Sequence, residues 1–460
     1  MQTVSHVIRA LTRKVSPVRR IPLPARLRLP LPPRLARPLG YPYVADLPGT
    51  HRRALRAFWL NGLFLSMADA LPTPYYTLYL LSLGATNAQI GLVNTITQLA
   101  GAVLSAPGAV LAERWGRYKR VALVSGALSR SMWLPMLVAP WLLSGEWAVW
   151  LVILAWVGVG AFAAFGHAAW TALSADLVPA RLRGGYFASR NIIMQLVQLA
   201  VIPVAGQIIN YIGAPGGYQV NFALALGIAA VGLYFYSCLT EHAPAAPAEA
   251  RPARRLSPGL SLLRELRTMP DFVRFVLSHT IMYFGVLIGG PFIQVYMMQE
   301  ARFDVGTIGF AVTINVLATM VAMRFFGRFH DRYGIIPTMR FGVGLPLIPI
   351  LWLGVTQPWQ AYLVEIYSAV VWAGYNLGAF NLLLACTPDE HRPRFVAIYS
   401  TIISLVGAVG PVIGGWLLDV VSFMPVFSLS GIVRAIGLIL FLALVREPGK
   451  PAEKLLSASA

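Results

Sequence analysis

The chain has 460 residues, 57% of them hydrophobic and 12% charged, with a mean hydropathy of +0.65. That leaves too few polar groups to coat a soluble globule of this length, so composition excludes one and predicts a polytopic membrane protein. The formal net charge of +19 points toward nucleic acid only until it is mapped: up to Arg56, twelve Arg or Lys stand against Asp46 alone.

That first segment, 1–53, holds Pro22, Pro24, Pro30, Pro32, Pro33 and Pro38 and lacks the apolar stretch of a secretory signal. It reads as an extended, disordered cytoplasmic tail lying on anionic lipid headgroups, with no nucleic acid as partner. An Arg-rich transit peptide is the other reading, and the prolines count against it. Hydrocarbon forces every backbone group to be satisfied within the chain, and about 20 apolar residues cross it as a helix, so the runs that follow predict an all-α fold. None alternates over about ten residues as barrel strands do. Twelve runs are legible, near 54–83, 88–112, 119–143, 147–175, 184–212, 219–240, 271–299, 305–328, 337–356, 358–387, 393–418 and 422–446. Between the sixth and seventh, 241–270 is rich in Ala, Pro and Arg and carries no run that crosses. It reads as a cytoplasmic linker between two six-helix bundles, 54–240 and 271–446, with 447–460 a short tail.

One short polar turn occurs twice. Glu113-Arg114-Trp115-Gly116-Arg117 follows the second run, and Asp331-Arg332-Tyr333-Gly334 follows the eighth, 218 positions later. An acid, an Arg, an aromatic and a Gly at one spacing in both halves mark a duplicated unit, and the glycines suit a tight turn between closely packed helices. The basic residues of the loops fall on one side: Arg114, Arg117, Lys119, Arg120, then Arg181 and Arg183, then Arg251, Arg254, Arg255, Arg264 and Arg267, then Arg328 and Arg332, then Arg392 and Arg394. The opposite loops are nearly free of Lys and Arg, with Arg302 the exception. The positive-inside rule therefore predicts both termini and both turns in the cytoplasm, with the protein in the cell (inner) membrane. Cys238 and Cys386 imply no disulfide.

Twelve spans in two halves, with this turn after the second and eighth, resemble the major facilitator superfamily of secondary transporters over about 54–446. The family's loop is roughly G-x-L-x-D-R-x-G-R-[KR]. Gly327, Asp331, Arg332 and Gly334 match it in the second half, with Phe329 in the Leu place and Ile335 and Ile336 replacing the basics. Leu111, Arg114, Gly116 and Arg117 match in the first half, Glu113 standing for the Asp. Asp176 and Arg183 are spaced like the acid-x6-Arg of the family's sugar porters; the second half has Ala385 in the acid's place. The resemblance implies that Glu113, Arg114, Arg117, Asp176 and Arg183 form a cytoplasmic charge cluster that locks the halves together, with Asp331, Arg332 and Gly334 as the second copy of the gate. Gly410-Pro411 through Gly414-Gly415 is similar to a signature of drug antiporters, but it lies on the eleventh span rather than the fifth and reads as close helix packing.

Transporters with repeats bind solute where helices break at corresponding positions of the two halves. The first span carries Pro72 and Pro74; the offset of 218 puts the counterpart of Pro74 at 292, one residue from Pro291 in the seventh. Asp69 lies beside the first break, roughly midway along its span, where a carboxylate is expensive. It is read either as a site of proton or cation coupling, or as a static pair or hydrated cavity wall. His167 aligns with Asn376 at an offset of 209. With Trp170, Arg190, Tyr283, Gln294 and Asn381 they complete the candidate cavity, Arg190 either drawing an anionic solute or belonging to the gate. Glu365 reads as cavity or surface. Arg130 and Arg434 sit midway along the third and twelfth spans and must snorkel or find an acid inward. There is no P-loop, no H-E-x-x-H and no G-x-S-x-G, which speaks against an enzyme and implies no cofactor and no metal. The expectation is a monomeric, proton-coupled transporter of a small organic solute, an antiporter exporting an amphipathic compound before a metabolite or sugar-like uptake permease. A non-transporting sensor or assembly factor of the same fold is the reading from another class.

Overall fold

The computed structural model of the protein describes residues 49–179, 183–239, 269–387 and 392–445. The basic tail up to 48, most of the 241–270 linker, the C-terminal tail and Arg181 lie outside the described residues. Those described form helices and short 3-10 turns, with no strand among them. The first half runs α1 (Gly49–Ala70), a 3-10 turn (Thr73–Tyr75), α2 (Tyr76–Ser82), α3 (Asn87–Trp115), α4 (Tyr118–Ser131), α5 (Trp133–Leu142), α6 (Glu146–Leu177), α7 (Arg183–Ile212) and α8 (Gly216–Ser237). The second half repeats the order as α9 (Pro270–Gly289), a 3-10 turn (Gly290–Phe292), α10 (Ile293–Gln299), α11 (Val305–Tyr333) and α12 (Ile335–Arg340). It continues through a 3-10 turn (Phe341–Gly344) to α13 (Leu347–Leu353), α14 (Pro358–Ala385), α15 (Arg392–Val420) and α16 (Phe423–Leu444).

Eleven helical stretches among the described residues are long and apolar enough to cross a membrane. The first span, α1 with α2, makes the twelfth crossing. It falls outside that set because Pro72 and Pro74 divide it and Arg52, Arg53, Arg56 and Asp69 dilute it. Proline has no N–H to offer the carbonyl four residues back, so the helix cannot run through; the backbone tightens to i+3 bonds, Leu71 N to Ala68 O at 3.4 Å and Tyr75 N to Pro72 O at 3.0 Å. Pro291 does the same in the seventh span, so both breaks are 3-10 turns at the positions the repeat predicts. Both copies of the polar turn end a long helix on a glycine at positive φ, +57° at Gly116 and +87° at Gly334, which a side chain would strain.

The halves touch along two antiparallel helix pairs, α3 with α15 and α7 with α11. Thr95 Oγ1 donates to the Ala408 carbonyl at 2.6 Å, and Asp419 at the end of α15 accepts from the backbone N–H groups of Asn87 (3.1 Å) and Ala88 (2.8 Å) at the start of α3. Gly91 and Gly415 make this crossing possible, since a Cβ on either would run into the facing carbonyl of Pro411 or Asn87. Tyr75, in the first break, packs on Gly309 of α11 and donates to the Ile202 carbonyl at 2.6 Å. These contacts lie at the end remote from the repeated turns. At the other end of the same helices Trp115 is 58% and Tyr333 51% exposed. The molecule is closed at one end and open at the end that bears the turns.

Candidate functional site

Asp69 stands on the last turn of α1, at the edge of the break. Arg130, on α4, reaches it with one nitrogen: Nη2 donates to Oδ1 at 2.9 Å and to Oδ2 at 2.8 Å. The side chains of Asp69 and Arg130 are 36% and 17% exposed, so the pair is partly desolvated, with the acid the less covered partner. Arg130 also donates to Ser129 Oγ (3.3 Å), and its Nε is buried without a partner. Its guanidinium lies 5.6 Å from the Trp133 ring. The acid that Arg130 was expected to find inward is therefore the acid the break singled out, 61 residues earlier. Just past the break, Tyr76 stacks on Trp156 with centroids 4.0 Å apart and donates to Asn94 Oδ1 at 2.9 Å.

Arg434 resolves differently. It is 1% exposed and meets no acid among the described residues; Nη1 donates to the Leu345 carbonyl at 3.1 Å. Proline at 349 cannot supply the i+4 donor to this carbonyl, which takes one bond from the Ile348 N–H at 3.3 Å and a second from Arg434. The expectation that Arg434 snorkels or pairs with an acid is corrected, since its partner is a backbone carbonyl. Glu365 lies against α11, where Asn315 Nδ2 donates to its Oε2 at 2.6 Å.

The remaining candidates divide by exposure. His167 on α6 and Asn376 on α14 are both exposed although each lies well inside an apolar helix, as are Asn191 and Gln195 on α7. Polar groups at such positions belong to a water-filled cavity rather than to lipid. Trp170 is half-buried, 6.1 Å from the Phe58 ring and 6.1 Å from that of His167. Arg190 is buried at 5% exposure with its guanidinium 4.7 Å from Phe58 and 5.8 Å from Trp170. Gln294 is half-buried on α10, and Asn381 donates to Leu377 O within its own helix at 2.8 Å. Tyr283 lies parallel to the His279 ring at 6.0 Å.

His279 escaped the sequence reading. It is buried on α9, with Nδ1 2.6 Å from the Tyr375 hydroxyl and Nε2 2.9 Å from that of Tyr399, joining three helices of the second half. A lone His in an apolar run carries no spacing signal; its place one turn before Tyr283 was the available hint.

The residues expected to form the gate are not paired with one another in this structure. Glu113, Arg114, Arg117, Asp176, Arg183, Asp331 and Arg332 are all exposed, and none joins an ion pair among the described residues. Arg183 instead donates from Nε to the Val178 carbonyl at 3.0 Å and from Nη2 to that of Ala175, capping the end of α6, while Arg332 lies over the Tyr333 ring at 5.3 Å. The cross-half acid contact that is made, by Asp419, is at the closed end.

The sequence profile of the Major Facilitator Superfamily matches residues 58–290 and 275–460. The chain is 27% identical over 187 residues to the multidrug resistance protein MdtG of Proteus mirabilis, covering 38% of this chain and 46% of that protein. It is 29% identical over 144 residues to the class H tetracycline resistance protein of Pasteurella multocida, covering 31% and 36%. The matches thus span less than half the length of these curated relatives. The fold is similar to that of the nucleoside transporter NupG, solved as a point mutant, with a TM-score of 0.67 at 15% identity over 86% of this chain and 100% of the other.

Proposed function

As the chain belongs to the Major Facilitator Superfamily, we propose that it is a secondary active transporter, working by alternating access, that moves a small organic solute against a proton at the Asp69–Arg130 pair. The observation that carries this is the pair itself: an acid at a helix break, partly desolvated and held by a single guanidinium nitrogen. Protonating Asp69 removes the attraction and leaves Arg130 positive and only 17% exposed; that change acts on α1, whose hydrogen-bond ladder is already interrupted next door. A titration at this point biases a hinge, which is the local event a coupled transporter requires.

In the rest of the cycle the open end closes and brings together Glu113, Arg114, Arg117, Asp176 and Arg183, with Asp331, Arg332 and Gly334 in the second copy, while the Asp419 contacts at the far end are released. Ion pairs in a partly desolvated interface are selective in geometry and contribute little net energy, which suits an alternating lock. The loop charges support a cytoplasmic location for the turns, and so an inward-open state in the cell membrane. The resistance functions in the relatives' names and the half-buried aromatics Trp156, Trp170 and Tyr283 favour export of an amphipathic compound as monomer-borne antiport.

The test is purified protein in liposomes that enclose a pH-sensitive dye, challenged with a panel of amphipathic solutes under an imposed pH gradient. At least one solute should drive proton movement, and Asp69→Asn should abolish it. Solute-linked flux that persists in Asp69→Asn overturns coupling through Asp69, and a panel that moves no protons with wild-type protein overturns the coupled reading.

A further inference from the structure

Arg190 is a buried cation without an anion. Its Nε has no hydrogen-bond partner, and no acid pairs with it among the described residues. The Tyr186 hydroxyl, one turn away, is already committed to the Leu55 carbonyl at 2.8 Å. What surrounds the guanidinium is aromatic: Phe58 from α1 and Trp170 from α6. The space it occupies exists because residue 62 is glycine, since a Cβ there would overlap the guanidinium. Three helices thus shape a cage around one charge.

Aromatic faces offset part of the burial cost of a cation, but not the whole cost of an unpaired charge. The difference is recovered when an oxyanion enters, because the guanidinium presents parallel N–H donors that match a carboxylate. Around the cage the chain is polar and exposed: Asn191 follows Arg190, and His167 and Thr171 flank Trp170 on α6, so a solute that reaches these residues meets the cage. An anionic head at Arg190 leaves the body of the molecule against Trp170 and His167, which suits an apolar or aromatic carrier of the charge.

We infer that Arg190, Phe58 and Trp170 form the anion-binding end of the solute site and that the transported compound is an amphipathic carboxylate. This rests on the transport reading and narrows its substrate class. Full-length protein in detergent is titrated by calorimetry with 1-naphthoate, 1-naphthamide and 1-naphthylmethylammonium, each against a detergent blank. Wild type should bind the carboxylate about tenfold or more tightly than the amide or the ammonium, the size of a charge-assisted hydrogen-bonded contact. Arg190→Gln should erase the preference and Arg190→Lys keep part of it. Absence of the preference in wild type, or its survival in a folded Arg190→Gln, overturns the site. If Arg190→Gln does not fold, phenylglyoxal labelling of wild-type Arg190, read by peptide mass spectrometry, decides: naphthoate should slow it and naphthamide should not, and equal rates or no labelling overturn the proposal. Naphthoate binding through Arg190 in a protein whose liposomes move nothing keeps the anion site and removes the transport reading. Proton-linked flux of other solutes with no naphthoate preference does the reverse.

Discussion

Asp69 takes both of its hydrogen bonds from one nitrogen of Arg130, whose Nε is left buried and unpaired. Deleting either partner strands the other, whereas deleting both strands neither. Asp69→Asn and Arg130→Gln should each lower stability by about 1 kcal/mol, toward the small end because the acid is a third exposed, and the double variant should lose less than their sum. Thermal unfolding in detergent reads this; strict additivity shows that the two side chains do not depend on each other. Arg434 makes the opposite case. With no acid to lose, Arg434→Met removes a buried charge of similar length, so its melting temperature should equal or exceed that of wild type. A drop of several degrees shows that the bond to Leu345 outweighs the burial of the charge. Nothing in the spacing of Asp69 and Arg130, or of Arg434 and Leu345, states that they meet; the sequence marks each charge as expensive and leaves its partner open.

Elements were more legible than partners. Apolar run length is fixed by the thickness of hydrocarbon and by backbone hydrogen bonding, so the spans follow from composition alone, and a proline stops a helix whatever surrounds it. That is why the 218-residue offset located the breaks at Thr73–Tyr75 and Gly290–Phe292. Boundaries were less legible: α1 begins at Gly49, ahead of the expected 54, because a helix carries Arg52 and Arg53 into water without loss. Pro74→Ala and Pro291→Ala restore the missing donors, and a proline in a helix interior costs about 3 kcal/mol. Each should raise the unfolding temperature and slow solute-driven proton flux; a variant that is stabilised and equally fast excludes the breaks as moving parts.

For the whole molecule, closure of one end rests on the α3–α15 crossing. Thr86 and Gln89 already close a capping box at the start of α3, and Asp419 adds acceptors for the Asn87 and Ala88 N–H groups from the other half, where the helix dipole also favours an acid. Asp419→Ala should weaken closure by about 1 kcal/mol, and Gly91→Leu should prevent it, because a side chain there meets the Pro411 carbonyl. Maleimide labelling of a cysteine placed at Thr95, in a background with Cys238 and Cys386 replaced by Ser, reports both. Labelling from the closed end should rise modestly with the first and strongly with the second. No change with either means that the end is held elsewhere.

By itself the sequence determined the class, the spans, the duplication and the paired breaks, because each depends on local chemistry: how apolar a run is, whether a residue can donate, how often a pattern recurs. Only the tertiary structure decided that Asp69 meets Arg130, that Asp419 caps the opposite half, that His279 sits between two tyrosines and that Arg190 lies unpaired between two aromatic rings. These depend on which faces of different helices come together, and in an apolar chain every face looks alike until the helices pack.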